Sequence, residues 1–193
     1  MRFTVLESRL EGPLLLEPRS FADDRGFFME TYRRSELAEL GVTEEFVQDN
    51  HSRSARGVVR GMHFQVGRGV SKLVRCARGE IVDVLVDIRR GSPSCGEWEA
   101  FTLSDTNRYV LYAPIGFAHG FCTLEPDTQV LYKVDQYYAR ETEAGLLWSD
   151  PDLAIPWPVA PEHAIVSDKD EVLPRLRDVV SPFNYSDPQS AGR

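Results

Sequence analysis

The sequence of 193 residues is poor in cysteine, in positive charge and in long hydrophobic runs. Its three cysteines, Cys76, Cys95 and Cys122, are odd in number and show no CxxC spacing, which argues against a disulfide framework and against a cysteine zinc site. No apolar run approaches the roughly 20 residues that span a bilayer. The N-terminal residues lack the apolar core of a secretory signal. We therefore expect a cytoplasmic protein with no membrane partner.

Acidic residues outnumber basic ones by 30 to 22, which gives a formal net charge of -8. Nucleic-acid affinity comes largely from Lys and Arg side chains that neutralise phosphates, so this balance argues against a nucleic-acid partner. One small anionic ligand would need only a local basic pocket. The sequence also lacks the Gly-rich fingerprint of a dinucleotide site, and we expect no redox cofactor.

The sequence predicts many short strands. The 12 Pro and 14 Gly are scattered and divide the chain into short segments. Strand patterns cover 14–17, 27–32, 46–52, 59–65, 70–76, 81–88, 97–103, 109–113, 120–123 and 129–138. Two short helices are predicted, one capped by Ser35 and ending at Gly41, the other over 167–173. This rhythm indicates an all-β sandwich, jelly roll or barrel.

At this length a single domain is the default interpretation. We predict one domain over residues 1–180, followed by a loose tail over 181–193, where the composition turns to Ser, Pro, Asn, Asp, Gln and Gly. In strand 81–88, Val82, Val84, Val86 and Ile88 share one face, which is predicted to be core. Asp83 lies on the other face, where a cavity or solvent could receive it.

His63 is the first candidate for chemistry, in the run Arg60-Gly61-Met62-His63-Phe64-Gln65. A neutral histidine with an ordinary pKa of about 6.5 can act as a general base near neutral pH. The alternative is a core histidine bonded to a backbone carbonyl.

His119 ends the run Pro114-Ile115-Gly116-Phe117-Ala118-His119, which resembles the second signature of the cupin barrels. Many metal-binding cupins pair it with a first signature that holds two histidines and a glutamate. The corresponding place here reads His63-Phe64-Gln65. The pair His63 and His119 falls short of the three protein ligands usual for a catalytic zinc, so we expect no metal.

Three further candidates each have two interpretations, one structural and one functional. Tyr132 and Tyr138 share one strand face, which commonly means packing, but a Tyr132 opposite His63 could donate a proton. Lys72 is either a surface lysine or a cation beside the same site. The run Ser167-Asp168-Lys169-Asp170 is either a solvated turn or the source of a carboxylate that folds back onto His63.

Taken together, the motifs resemble the dTDP-4-dehydrorhamnose 3,5-epimerase family. The resemblance runs in order from about residue 3 to residue 180 and rests on the segments 24–30, 48–52, 59–65, 72–76, 116–121, 131–133 and 167–170. It implies a metal-free cupin jelly roll with a few short helices. It also implies a homodimeric isomerase of deoxysugar biosynthesis that needs no cofactor and acts on a dTDP-4-keto-6-deoxyhexose.

The resemblance implies a role for each matching residue. His63 would be the base, Asp170 its partner, Tyr132 the acid on the opposite ring face, and Lys72 the cation near the developing oxyanion. The implied substrate-binding residues are Gln48, Asn50, Arg60 and Lys169 at the diphosphate or sugar, Tyr138 near the base, His119 and Asp83 in the same pocket, and Arg25, Phe27 and Glu30 from the dimer mate.

The chemistry explains these residue types. A C–H beside a ketone is a very weak acid, so its removal needs a positioned base and stabilisation of the enolate oxygen. The leading hypothesis is inversion at both C3 and C5. The alternatives are a single-centre C3 or C5 epimerase of an antibiotic deoxysugar pathway, a 3,4-ketoisomerase-like cupin, and a non-catalytic sugar-nucleotide-binding cupin. The same catalytic residues serve both kinds of epimerase, so they do not separate the first two.

Overall fold

The computed structural model describes residues 2–186, which form thirteen strands, two short α-helices and three 3-10 helices. In chain order the elements are β1 (Phe3–Leu6), β2 (Leu14–Pro18), β3 (Ser20–Asp23), β4 (Gly26–Met29), α1 (Arg34–Glu39), β5 (Gln48–Ser54), β6 (Val59–Gln65), β7 (Lys72–Arg78), β8 (Glu80–Asp87), β9 (Trp98–Ser104), β10 (Val110–Ala113), β11 (Phe117–Thr123), β12 (Thr128–Val134), β13 (Glu143–Gly145) and α2 (Asp168–Glu171). The 3-10 helices cover Arg140–Thr142, Pro161–His163 and Leu176–Asp178.

Two antiparallel sheets form the walls of a jelly roll. The six-stranded sheet has the order β1-β2-β10-β7-β12-β5, and the five-stranded sheet has the order β13-β6-β11-β8-β9. Buried side chains from both sheets meet between them, including Val74 and Leu111 from one wall and Leu85 and Phe121 from the other. Apolar surface removed from water at this interface holds the two sheets together. The predicted all-β jelly roll is confirmed.

The five-stranded sheet is covered on its outer face as well. Val84, Val86 and Ile88 pack there against residues from later in the chain, among them Leu153 and Phe183. The alternation predicted for this strand is present. However, its Val face lies under the C-terminal segment, whereas Leu85 and Asp83 point into the jelly-roll interior between the sheets.

The segment 181–186 lies against this outer layer. Phe183 is 9% exposed and its ring meets the ring of Phe64 edge to face. The backbone N–H of Arg90 donates to the Phe183 carbonyl, and the N–H of Tyr185 donates to the Arg90 carbonyl. This differs from the loose tail predicted over 181–193, because a Ser- and Pro-rich composition does not reveal one well-placed aromatic anchor. The rest of that tail, 187–193, lies outside the described residues.

Element boundaries follow local chemistry. The N-cap position of the first helix is Arg33, whose side chain makes no capping hydrogen bond, so the predicted cap at Ser35 is wrong. The second begins after Ser167, whose hydroxyl accepts from the Asp170 N–H at 3.2 Å. The strand predicted over 129–138 ends at Val134, because Asp135 turns inward and accepts from the Ser71 N–H at 2.7 Å.

None of the helices in residues 2–186 is long and apolar enough to cross a membrane.

Candidate active site

Two adjoining cavities open into the jelly roll, and both are lined by His63, Lys72, Tyr132 and Glu143. The first, of about 290 Å³, also has Gln48, Asn50, Gln65, Gln136 and Tyr138 in its wall, and we call it the amide lobe. The second, of about 510 Å³, has Arg60, His119, Lys169 and Asp170 in its wall, and we call it the basic lobe. The shared residues lie where the two lobes meet.

Strand register brings the two histidines together. His119 on β11 is the direct partner of His63 on β6. The strands approach so closely beside this pair that a Cβ on Gly61 would lie 2.5 Å from the Gly120 Cα. Gly61 also has φ of +130°, a conformation that side chains rarely adopt. Glycine at this crossing is therefore what allows both imidazoles onto one wall.

His63 is paired with a carboxylate from α2. His63 Nε2 lies 2.6 Å from Asp170 Oδ1, and Asp170 Oδ2 accepts from the Gly61 N–H at 3.3 Å. Burial disfavours the charged carboxylate, but the hydrogen bond and charge of His63 outweigh it and lower the pKa of Asp170. An ionised carboxylate only accepts hydrogen bonds, so the His63 proton sits on Nε2. His63 Nδ1 is then the atom with the available lone pair.

Lys72 lies where the two lobes meet. Its ammonium donates to the His63 carbonyl oxygen at 3.4 Å and to His119 Nδ1 at 3.2 Å. Burial lowers the pKa of Lys72 to about 8, while the nearby charges of Asp83 and Glu143 act in the opposite direction. Lys72 is therefore a half-buried cation at neutral pH, placed to face an anionic oxygen.

Tyr132 lines both lobes and is half-buried. Burial raises its pKa above the ordinary value of 10.0, although the nearby Arg60 charge opposes the shift. The phenol thus keeps its proton throughout the neutral range and can serve as a proton donor.

Other residues of the predicted set lie around His63, Asp170, Lys72 and Tyr132, some in the amide lobe and some in the basic lobe. In the amide lobe, Gln48 Nε2 donates to Asn50 Oδ1 at 2.8 Å, and the Tyr138 N–H donates to Gln48 Oε1 at 3.1 Å. In the basic lobe, the Arg60 Nε donates to Ser54 Oγ at 3.2 Å. His119 lines the basic lobe, and its partner Asp83 lies behind it, fully buried.

Three predicted residues lie elsewhere. Arg25 pairs with Asp23 in the turn of the β3–β4 hairpin, the Phe27 ring lies 4.0 Å beneath the Arg108 guanidinium, and Glu30 pairs with Arg33. The walls that residues 2–186 give to the two lobes contain none of the three. The role implied for them in the site of a partner copy stays a prediction.

Sequence reasoning missed Glu143. It lines both lobes, accepts from the Tyr138 hydroxyl at 2.8 Å and forms an ion pair with Lys169. Burial opposes its ionisation, but the bonds from Lys169 and Tyr138 prevail and lower its pKa. Glu143 belongs to the three-residue strand β13, and its register partner is Gln65. So short a strand has no readable alternation, and only the pairing with β6 reveals the residue.

Comparison with known proteins places the chain in a family. The family model for dTDP-4-dehydrorhamnose 3,5-epimerase matches residues 7–178. The dTDP-4-dehydrorhamnose 3,5-epimerase of Escherichia coli (strain K12) is 46% identical over 178 residues, which cover 91% of this chain and 96% of that protein.

Solved structures agree with the sequence relatives. A dTDP-6-deoxy-D-glucose-3,5-epimerase from Legionella pneumophila in complex with dTDP-4-keto-L-rhamnose has a TM-score of 0.92 at 38% identity, with 96% of this chain and 100% of that chain covered. A 3'-monoepimerase from Streptomyces bikiniensis in complex with dTDP-quinovose has a TM-score of 0.83 at 32% identity, with 88% and 86% covered. Matched over most of its length at these identities, the chain belongs to the dTDP-4-dehydrorhamnose 3,5-epimerase family.

Proposed function

We propose that the protein inverts C3 and C5 of a dTDP-4-keto-6-deoxyhexose, converting dTDP-4-dehydro-6-deoxyglucose to dTDP-4-dehydro-L-rhamnose. The observation that carries this proposal is the set of a histidine–carboxylate pair, a protonated phenol and a half-buried ammonium around one cavity. Binding a sugar nucleotide requires no acid and base together, so the set favours an enzyme over a sugar-nucleotide sensor. Family membership supplies the substrate class.

The base is His63 Nδ1. It removes the proton from the carbon beside the 4-keto group, so a C–H bond breaks and an N–H bond forms while the electron pair moves onto the ketone oxygen. Asp170 stabilises the imidazolium that results. Lys72 donates a hydrogen bond to the enolate oxygen, where its charge acts in a site largely removed from water.

The acid is Tyr132. Its O–H bond breaks and a new C–H bond forms on the ring face away from His63, which inverts the carbon. Water then returns a proton to the phenolate and takes one from the imidazolium. Because two carbons flank the 4-keto group, the same His63 and Tyr132 can act at C3 and C5 if the ring is repositioned between the steps. This chemistry requires no redox cofactor.

The two lobes suit the two ends of the substrate. Arg60 and Lys169 give the basic lobe the charge that a diphosphate needs. Tyr138 gives the amide lobe the aromatic surface that a pyrimidine base needs, and Gln48 and Asn50 give it hydrogen-bonding groups for the sugar or the diphosphate.

We further propose a cytoplasmic homodimer, in which the single domain of each copy completes the site of the other. Arg25, Phe27 and Glu30 would enter the site of the partner copy. Support comes from the β3–β4 hairpin, where Phe27 and Phe28 are 52% and 67% exposed. Phe28 also lies beside its register partner Phe21, which is 42% exposed, and an exposed apolar patch of this kind is typical of a protein–protein contact.

Two substitutions test the catalytic assignment. His63→Ala and Tyr132→Phe should each reduce product formation by about 10²- to 10⁴-fold, the range that general acid–base catalysis contributes. Binding of dTDP, measured by calorimetry, should stay near the wild-type value. His51→Ala is the matched control, because His51 is an exposed histidine bonded to Gln129. Full activity in either catalytic variant would contradict the assignment.

A single-centre epimerase is the second candidate, favoured by the similarity to the 3'-monoepimerase. Product analysis of the wild-type protein separates the two, since a single-centre enzyme inverts one of the two carbons.

A further inference from the structure

Both ring nitrogens of His119 are engaged by protein groups. Nε2 lies 2.9 Å from the Asp83 carboxylate, and Nδ1 lies 3.2 Å from Lys72 Nζ. A carboxylate only accepts and an ammonium only donates. The His119 proton must therefore sit on Nε2, and the Nδ1 lone pair faces the ammonium. Asp83, His119 and Lys72 form a continuous line of hydrogen bonds.

The far end of this line is a carboxylate in the core. Asp83 is 0% exposed and His119 is 6% exposed. Both lie on central strands of the five-stranded sheet, where Asp83 on β8 is the register partner of Phe121 on β11. Within residues 2–186 the side-chain hydrogen bond of Asp83 is the one with His119 Nε2. Burying a carboxylate costs free energy unless a cation compensates its charge. Lys72 is that cation, and the His119 imidazole connects it to Asp83.

We propose that Asp83 and His119 are positioning residues that act through Lys72, holding its ammonium at the cavity wall and keeping it protonated for the developing oxyanion. This inference rests on the proposed function, and it gives the two residues a role other than substrate contact. His119 transmits the effect because a neutral imidazole with its proton on Nε2 offers the ammonium a fixed acceptor.

Other charged and titratable groups also face Lys72. They line the same cavity, come from β6, β12, β13 and α2, and are Arg60, His63, Tyr132, Glu143, Lys169 and Asp170. Glu143 is the second carboxylate that favours the charged lysine, but its oxygens already accept from Lys169 and Tyr138. Asp170 is bonded to His63. Asp83 is the larger of the two carboxylate influences on Lys72, which burial otherwise pushes toward the neutral form.

The composition of the chain makes a direct measurement possible. Lys72, Lys133 and Lys169 are its three lysines, and it has four histidines. Protein labelled with carbon-13 lysine gives three Cε signals that can be assigned with Lys→Arg variants. Nitrogen-15 histidine reports the tautomer of each ring. Both measurements are made without substrate.

The decisive variant is Asp83→Asn, compared with Asp49→Asn, which removes the carboxylate partner of Lys133. We expect Asp83→Asn to lower the titration midpoint of the Lys72 Cε signal by about one pH unit or more. The alkaline limb of the pH–rate profile should shift to lower pH by a similar amount. Asp49→Asn should leave the Lys72 midpoint unchanged. In the wild type, His119 should carry its proton on Nε2.

Two results would overturn the inference. One is a Lys72 midpoint in Asp83→Asn equal to that of the wild type. The other is a wild-type His119 with its proton on Nδ1, a measurement that needs no variant to fold. The proposed function fails separately, if the wild-type protein binds dTDP-4-keto-6-deoxyglucose and leaves it unchanged while the lysine and histidine signals behave as expected.

Discussion

His63 and His119 are register partners on neighbouring strands, and each has Nε2 against a carboxylate, yet their surroundings differ. The His63 side chain is 28% exposed and its carboxylate comes from α2, late in the chain. The His119 side chain is 7% exposed and its carboxylate comes from β8 in the same sheet. One imidazole faces the cavity, and the other is enclosed.

The comparison shows that a histidine–carboxylate pair has no fixed task. What the second nitrogen meets decides the role. His63 Nδ1 is available to a substrate proton, so His63 suits a base that gains and loses charge. His119 Nδ1 meets Lys72, and burial lowers the pKa of His119 despite the nearby Asp83 charge, so this ring stays neutral. In the proposed mechanism the first pair moves a proton, and the second holds the charge of Lys72 in place.

Among the changes that test this difference between the two histidines, Asp170→Asn should have the largest effect on the reaction rate. The amide cannot stabilise the imidazolium of His63, so the rate should fall within the range of about 10²- to 10⁴-fold that general-base catalysis contributes. The matched control is Asp168→Asn, an exposed carboxylate on the same helix, which should retain activity. Steady-state kinetics on both variants makes the comparison. Equal activity in the two would remove Asp170 from the mechanism.

The pH dependence on the alkaline side is the second expected effect. Lys72 has its pKa lowered to about 8, so its charge is present below that pH and is lost above it. The wild-type kcat/KM should therefore fall as the pH rises through about 8. Tyr132, with its pKa raised above 10.0, does not titrate in this range.

The variant Lys72→Arg tests whether the fall of kcat/KM near pH 8 comes from Lys72 or from another titrating group. An arginine stays charged throughout the accessible pH range, so the limb near pH 8 should disappear whatever the absolute rate of the variant. A limb that persists unchanged in Lys72→Arg would assign it to another group.

The smallest expected effect comes from Gly145→Ala, beside His63. Gly145 is the register partner of His63, and a Cβ there would lie 2.5 Å from the Met62 carbonyl oxygen and 2.8 Å from a Leu173 methyl. Overpacking of this kind costs typically about 1–3 kcal/mol, which denaturant unfolding measures. Activity should fall modestly, because Leu173 follows the helix that carries Asp170. Unchanged stability would mean that this strand is free to move aside.

Local sequence patterns predicted where the strands lie better than they predicted which residues pack against them. The strand predicted over 59–65 coincides with β6, and the alternation along β8 is present. What covers the outer face of β8 could not be predicted, because Phe183 and Leu153 arrive there from distant parts of the chain. Strand β1 was missed because four residues near a terminus carry little periodic signal, although pairing with β2 fixes them.

For the candidate catalytic residues, too, the sequence pointed to single residues better than to the contacts between them. Residue type and spacing marked His63, His119 and Tyr132 as candidates. The contact between His63 and Asp170 spans 107 residues, and the one between His119 and Asp83 spans 36. Such contacts arise from strand register and from the docking of α2, which sequence periodicity does not encode.

Proton exchange at the sugar ring tests the central claim most directly. The purified protein is incubated with dTDP-4-keto-6-deoxyglucose in deuterium oxide, and the C3 and C5 proton signals are followed by NMR. The account predicts that both signals disappear as a rhamno-configured product with deuterium at both carbons forms. Retention of both protons in the presence of demonstrated substrate binding would contradict it.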